Sequence, residues 1–358
     1  MIFHRALLRE FASLAGAVFM TLFAIALTTQ LIRLLGKAAG GSIPTDTVIA
    51  FLGFFALGAL PVLLSLTMFI SVLLTLTRSW RDSEMVIWFS SGLSLTAWLK
   101  PVLLFALPLI VVIAALSLFI SPWAAQMSAQ YSVRLESRDD VSRVTPGVFG
   151  ETSNRERVFF VESVSGATSS VQNVFVASTH QGKSGVSMSR SGRTEVAPNG
   201  DRFLVLEHGR RYDGAPGDEQ YRVTEFERYA ARIETREAVQ PAQTHKNLPT
   251  LALIRNPSTL NLGELLWRVG VPISALVLAL LAIPMSFVNP RAGRSVNLAF
   301  ALLTYVVYSN LLSVSQARVA LGRLDFSVGW WLVHAGMIAL LVVLFAQRMQ
   351  VIRLRIGR

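Results

Sequence analysis

Four small groups of residues in this chain have the types and spacing to do chemistry. The first is Asp82-Ser83-Glu84, standing directly before Met85-Val86-Ile87-Trp88-Phe89 and stopped by Ser91-Gly92. That order predicts a short helix: Asp82 or Ser83 caps the orphan N–H groups, Glu84 sits where the helix dipole favours an anion, and Gly92 ends it. Tied to a long apolar segment on each side, such a helix is either a lever or a cap at headgroup level with Trp80, Trp88 and Trp98 as belt residues. The second group is Arg33 with Lys37, spaced four apart, so that both can face one phosphate group from a membrane surface; ordinary snorkelling uses the same residues. The third, Gly182-Lys183-Ser184, has the ending of a phosphate-binding loop, but Ala177 stands where that loop needs a glycine. The fourth is His334, alone inside an apolar stretch, a setting in which a histidine is more often hydrogen-bonded to a neighbouring helix than a proton relay.

Other signatures are missing. The sequence holds no zinc-protease, nucleophile-elbow or dinucleotide fingerprint, no His/Asp/Glu cluster with metal-ligand spacing, and no cysteine, so disulfides and thiolate sites are excluded and no cofactor is expected.

The elements that must position these residues are membrane spans. Of 358 residues, 52% are hydrophobic and 15% charged, with a mean hydropathy of +0.50, far from the balance of a soluble domain. Charge-free runs occur over 11–32, 47–77, 101–133 (leaving the bilayer near Ser121-Pro122), 269–290, 295–317 and 326–347. Each is long enough to cross a hydrocarbon core of about 30 Å. The net charge of +11 is not a nucleic-acid signature: residues 122–264 balance 17 basic against 17 acidic side chains, and the excess lies in the membrane portion. There it sets orientation. Arg5, Arg9, Arg78, Arg81, Lys100, Arg291, Arg294, Arg348, Arg353, Arg355 and Arg358 fall on one side, and only Arg33, Lys37, Arg318 and Arg323 on the other. Both termini and the 78–100 stretch are therefore expected in the cytoplasm. The charge-free runs contain no Asp or Glu, so any transport cycle would draw its energy from outside the bilayer. Pro61, Pro108, Pro272 and Pro284 fall inside the spans, where they free backbone carbonyls.

Between spans three and four the character changes. RVFFVE (157–162), VQNVFVAST (171–179), RFLVLE (202–207) and YRVTEF (221–226) are short β-branched and aromatic runs separated by turn residues, which predicts an antiparallel sandwich or jelly roll. The expected architecture is a membrane all-α bundle of six transmembrane helices with an inserted periplasmic all-β jelly-roll domain. Its parts are 1–126 (interfacial helix, spans one to three and the short helix), 127–255 (β domain) and 256–358 (spans four to six and the tail).

Spans split three and three around an outer β domain resemble the LptF/LptG permease family of the lipopolysaccharide exporter, over essentially the whole chain. The motifs that carry the resemblance, closest to the LptF branch, are Arg5-x3-Arg9-Glu10, Gln30-Leu-Ile-Arg-Leu-Leu-Gly36 with Gly41-Ser-Ile-Pro44, Ser83-Glu84 with Gly92-Leu-Ser94, and Val288-Asn-Pro-Arg-Ala-Gly-Arg294. The resemblance implies a non-catalytic, multi-pass inner-membrane subunit of an ABC transporter serving outer-membrane biogenesis. It would pair with LptG, be driven by a homodimeric ATPase, LptB, and pass lipopolysaccharide outward through LptC. It also implies that the short helix is the coupling helix, with Glu84 docking in a groove of LptB beside Asp82 while Met85, Ile87, Trp88 and Phe89 supply apolar contact. Arg33 matches a position that contacts lipid phosphates. Lys37, one turn on, can support it where Gln30 replaces a residue that is basic in some relatives. A lipid-holding jelly roll would be lined by Phe159, Val161, Phe175, Phe203, Val205, Tyr221 and Phe226, although a plain sandwich core needs the same residue types. The rival readings are a non-transporting envelope scaffold that recruits partners through its β domain, and a lipid-modifying enzyme, which the missing catalytic constellation disfavours.

Overall fold

The computed structural model describes residues 2–40, 42–136, 147, 149–151, 157–165, 170–180, 183–196, 202–214, 222–233, 244–287 and 294–349. Tyr221, Arg291, Arg353, Arg355, Arg358 and most of the 288–294 motif lie outside the described residues. The chain divides into two compact units, Met1–Ala129 with Ala242–Arg358, and Gln130–Pro241.

The first unit is helical: α1 (Ile2–Ala39), α2 (Val48–Arg81), α3 (Glu84–Ser90), α4 (Leu99–Ala115), α5 (Ser121–Glu136, its start), α6 (Thr250–Arg255), α7 (Thr259–Met285), α8 (Arg294–Ala320) and α9 (Phe326–Arg348). Among the described residues, six stretches are long and apolar enough to cross a membrane: Arg5–Ala39, Thr45–Arg81, Leu95–Leu135, Thr259–Met285, Leu298–Ala320 and Phe326–Arg348. The core sits on α7, which packs against α2, α4, α8 and α9 and has 67% of its apolar window buried, against 6% for α1. Helix α1 packs on α2 and α4, so most of its apolar surface faces lipid or another protein.

Lipid tails are as apolar as leucine, so van der Waals fit rather than burial from water brings these helices together. Glycine provides the fit. A Cβ on Gly263 would meet Ala320 Cβ at 2.9 Å, one on Gly270 would meet Leu312 at 2.8 Å, and one on Gly329 would meet Val319 at 2.6 Å. Helix α8 is thereby clasped closely by α7 and α9.

The third span is one continuous helical path, Leu99–Glu136, that runs on past Ser121-Pro122. A π turn over Leu116–Ile120 precedes the proline and lets the helix continue past it.

The second unit is the inserted antiparallel domain: β1 (Gly150–Glu151), β2 (Arg157–Ser165), β3 (Ser170–His180), β4 (Lys183–Val196), β5 (Arg202–Gly214) and β6 (Arg222–Ile233). Among the described residues these strands form one sheet in sequence order, each paired with its chain neighbour, as short hairpin connections favour. The register places Val171, Gly192, Leu206 and Tyr229 in one row across β3 to β6, and Val174, Ser189, Gly209 and Phe226 in another. These rows are three residues apart, an odd spacing that in a regular strand points side chains to opposite faces. Yet Val171, Val174 and Leu206 form one buried cluster with Phe226 and Tyr229. Between the rows, Asn173 (φ 48°) and His208 (φ 52°) take the left-handed conformation. Asn and His tolerate that region better than most residues, and the local turn resets the alternation. Beside His208, a Cβ on Gly209 would collide with the Met188 carbonyl oxygen and fall 2.5 Å from the Phe226 ring. Gly209→Ala is expected to destabilise this domain by about 1–3 kcal/mol through overpacking, measured as a lower denaturation midpoint of the strand signal.

Candidate functional site

Helix α3 is joined to α2 by Asp82 and Ser83 alone. Neither side chain caps it. Asp82 is the C-cap of α2, and Ser83, at the N-cap of α3, has φ 60° and no side-chain cap bond, because the cap geometry needs extended backbone there. The C-terminus does follow the expected pattern. Gly92, at φ 89°, donates to the Phe89 carbonyl at 3.0 Å, and Leu93 donates to that of Trp88 at 3.2 Å, the paired bonds of a Schellman stop.

The apolar residues of α3 divide by role. Met85 is buried at 1% exposure in the main core and is closed to any partner; Phe89 packs between Trp80 and Trp98, with ring centroids at 5.5 and 5.7 Å. Trp88 is half-buried against the same core. Ile87 is 68% exposed and Val86, which sequence reasoning passed over, is 60% exposed. The outward face is therefore Val86 and Ile87 beside Glu84, while Met85 and Phe89 root the helix.

Arg78 organises the charges at the base of α3. Its Nε lies 2.6 Å from Glu10 Oε1 and its Nη2 donates to Glu10 Oε2 at 2.9 Å, while Glu84 is 3.4 Å away and Asp82 3.8 Å. Asp82 also pairs with Arg81 at 3.3 Å. All these groups are part-exposed, so each pair contributes at most about 1 kcal/mol. Their value is positional: one guanidinium joins α1, α2 and α3. Glu10 stands 68 residues from Arg78, and no local pattern announces the pair.

At the other end of α1, Arg33 and Lys37 are both exposed, one turn apart, with no ion-pair partner among the described residues. In the β unit, a groove of about 920 Å³ runs over the bent part of the sheet, walled by Phe175, Met188, Arg190, His208, Tyr212 and Phe226. Its rim carries Arg210, whose pKa is pushed up by the hydrogen bond to Glu225. Of the residues expected to line a lipid groove, Phe175 and Phe226 do so. Val205 is buried and Phe203 half-buried outside its lining, and Phe159 and Val161 lie on β2 opposite Val176 and Val174.

The charge-free run at 269–290 hid a charged cluster. Helix α7 begins ten residues earlier, at Thr259, and includes Glu264 and Arg268, exposed by only 7% and 2%. Arg268 Nε donates to Glu264 Oε1 at 2.9 Å, Nη1 to the Leu248 carbonyl and Thr250 Oγ1 at 2.9 Å, and Nη2 to the carbonyls of Lys246 at 3.1 Å and His245 at 3.3 Å. All five N–H groups are used. Two prolines complete the network. Pro122 cannot donate to the Leu118 carbonyl, which accepts from Thr250 Oγ1 instead. Pro272 cannot donate to the Arg268 carbonyl, which accepts from Ser117 Oγ at 2.9 Å. The π turn of span three, the 244–250 segment and α7 are thus pinned at one point. The expectation of acid-free spans is corrected accordingly: the helix of span four carries a carboxylate, neutralised by its own arginine. His334 makes the helix-to-helix bond expected of it, Nδ1 lying 2.6 Å from the Tyr308 hydroxyl of α8.

Six membrane helices with an inserted antiparallel β unit, and a short, deeply rooted helix between spans two and three, define a polytopic membrane protein of permease architecture. Residues 5–347 match the family described as "Lipopolysaccharide export system permease LptF/LptG", and the chain belongs to that family. It is 26% identical over 347 residues to the "Lipopolysaccharide export system permease protein LptF" of Escherichia coli strain K12, covering 96% of this chain and 94% of that protein. The proteins of the same description from Escherichia coli O157:H7 and Shigella flexneri match equally.

Proposed function

We propose that this chain is the LptF-type subunit of an ATP-driven exporter that draws lipopolysaccharide from the bacterial inner membrane. It pairs with LptG, is driven by the cytoplasmic ATPase LptB, and passes lipid to a periplasmic bridge that continues through LptC. The termini and α3 face the cytoplasm, and the β unit faces the periplasm. The observation that carries this reading, beside family membership, is α3: an exposed Val86–Ile87 face beside the part-exposed Glu84, on a helix rooted by Met85 and Phe89. ATPase closure pushes that face, the core on α2 and α7 moves with it, and Arg78 carries the motion to Glu10 on α1. The wide apolar surface of α1 supports pairing with LptG, and the β groove, with Phe175 and Phe226 in its walls, supports passage of acyl chains.

Depletion separates this from a scaffold role. Newly made lipopolysaccharide should remain in the inner membrane when the protein is depleted; normal delivery to the outer membrane would remove the transport reading. Arg33 and Lys37 make a narrower prediction. Phosphate contacts by such cations are charge-assisted and contribute about 1.5–3 kcal/mol. Arg33→Glu with Lys37→Glu should therefore lower lipopolysaccharide retained on the purified complex about tenfold or more, while leaving ATPase association unchanged.

A further inference from the structure

At the end of the helical unit that carries α3, a cavity of about 520 Å³ is lined by Trp80 of α2, Phe89 of α3, Ile283 and Pro284 of α7, Phe287 just beyond it, and Arg348 of α9. Its rings are ordered: Trp80 meets Phe287 edge-on at 4.8 Å, and the Arg348 guanidinium lies 4.0 Å over the Phe287 ring. The Trp80 indole N–H is buried and has no acceptor among the described residues. Among the described residues no carboxylate lines the cavity and Arg348 has no acidic partner. Glu10, Asp82 and Glu84, the acids of this end, are gathered on Arg78. The adjoining sequence adds no acidic side chain: residues 288–294 and 349–358 contain five arginines and no Asp or Glu.

Aromatic and aliphatic walls, an unpaired cation and an unused N–H donor at a bundle end complement an amphiphile with an anionic, acceptor-rich head. We propose that this cavity binds the headgroup of an anionic membrane phospholipid, with the phosphate on Arg348 and Trp80 Nε1 and the first acyl carbons against Phe89 and Phe287. The lipid then wedges α3 against α7 and α9, making the seat of the lever sensitive to the anionic content of the leaflet. Only the assignment to the cytoplasmic leaflet rests on the function proposed above; the binding itself does not.

The test uses the full-length protein, stripped of lipid in neutral detergent and given phosphatidylglycerol, phosphatidylcholine with the same chains, or inorganic phosphate, with retained molecules counted by native mass spectrometry. Phosphatidylglycerol should be retained about tenfold more than phosphatidylcholine; Arg348→Gln should reduce that retention about tenfold or more, as loss of a charge-assisted hydrogen bond requires, and Trp80→Phe about fivefold, as loss of a neutral one does. Ser94 is a further residue of the cavity wall; Ser94→Trp, which fills the cavity and leaves Arg348 in place, should abolish the preference, and Arg323→Gln at the opposite end should leave it intact. If Arg348→Gln does not fold, Ser94→Trp still decides. Equal retention of the two lipids, or unchanged retention in Ser94→Trp, overturns the proposal. Displacement of the lipid by millimolar inorganic phosphate overturns the lipid assignment in favour of a free anion.

Discussion

Arg268→Ala is expected to destabilise the protein by about 3–5 kcal/mol, the range measured when one partner of a buried ion pair is removed. The loss has three sources. Glu264 would stay 7% exposed with no counter-charge, the carbonyls of His245, Lys246 and Leu248 would lose their donor, and Thr250 would lose the contact that aims its hydroxyl at Leu118. Arg268→Lys should recover only part of this, since an ammonium cannot make five forked bonds. The double variant Arg268→Met with Glu264→Gln should be more stable than Arg268→Ala, because it leaves no buried charge unpaired. Thermal unfolding in detergent with an activity-independent readout checks all three. A single variant as stable as the parent would show that the cluster is hydrated and that its burial is not what holds span three to span four.

Glu84→Lys should give the second large effect, loss of ATPase association by about thirtyfold or more in Kd. Truncating one member of a desolvated interfacial charge pair costs about 2–5 kcal/mol, and reversal adds repulsion. Glu84 also touches Arg78 at 3.4 Å, so a control is needed. That internal pair is about 40% exposed on both sides and contributes at most about 1 kcal/mol. Arg78→Gln should therefore keep the ATPase bound, while weakening the coupling of hydrolysis to lipid release through the lost Glu10 link. If Arg78→Gln and Glu84→Lys lose the ATPase equally, Glu84 acts by holding α3 in place rather than by meeting a partner.

Much of the architecture was open to reading from composition, because a bilayer imposes a length and an apolar requirement on every span and leaves little freedom. The six spans, the inserted antiparallel unit and the short helix stopped at Gly92 are each local patterns. The division of labour within α3 was not legible. Seven residues make barely two turns, too few for a helical period to separate the rooted Met85 from the exposed Ile87. In the β unit, alternation failed at Asn173 and His208, where two left-handed residues shift the pattern; Gly209 beside His208 is the one local hint of a bulge, and a single glycine does not say how far the register moves.

By itself, the sequence determined the number of spans, the inserted sheet and the place of an acidic helix start between spans two and three, since each follows from short-range chemistry in a known solvent. The tertiary structure alone decided who meets whom: Arg78 with Glu10 across 68 residues, Ser117 with Arg268 across 151, Thr250 with Leu118 across 132. Prolines 122 and 272 announce that two carbonyls will need donors, but only the packed bundle supplies them. A freed carbonyl specifies the chemistry of its partner and says nothing about where in the chain that partner lies.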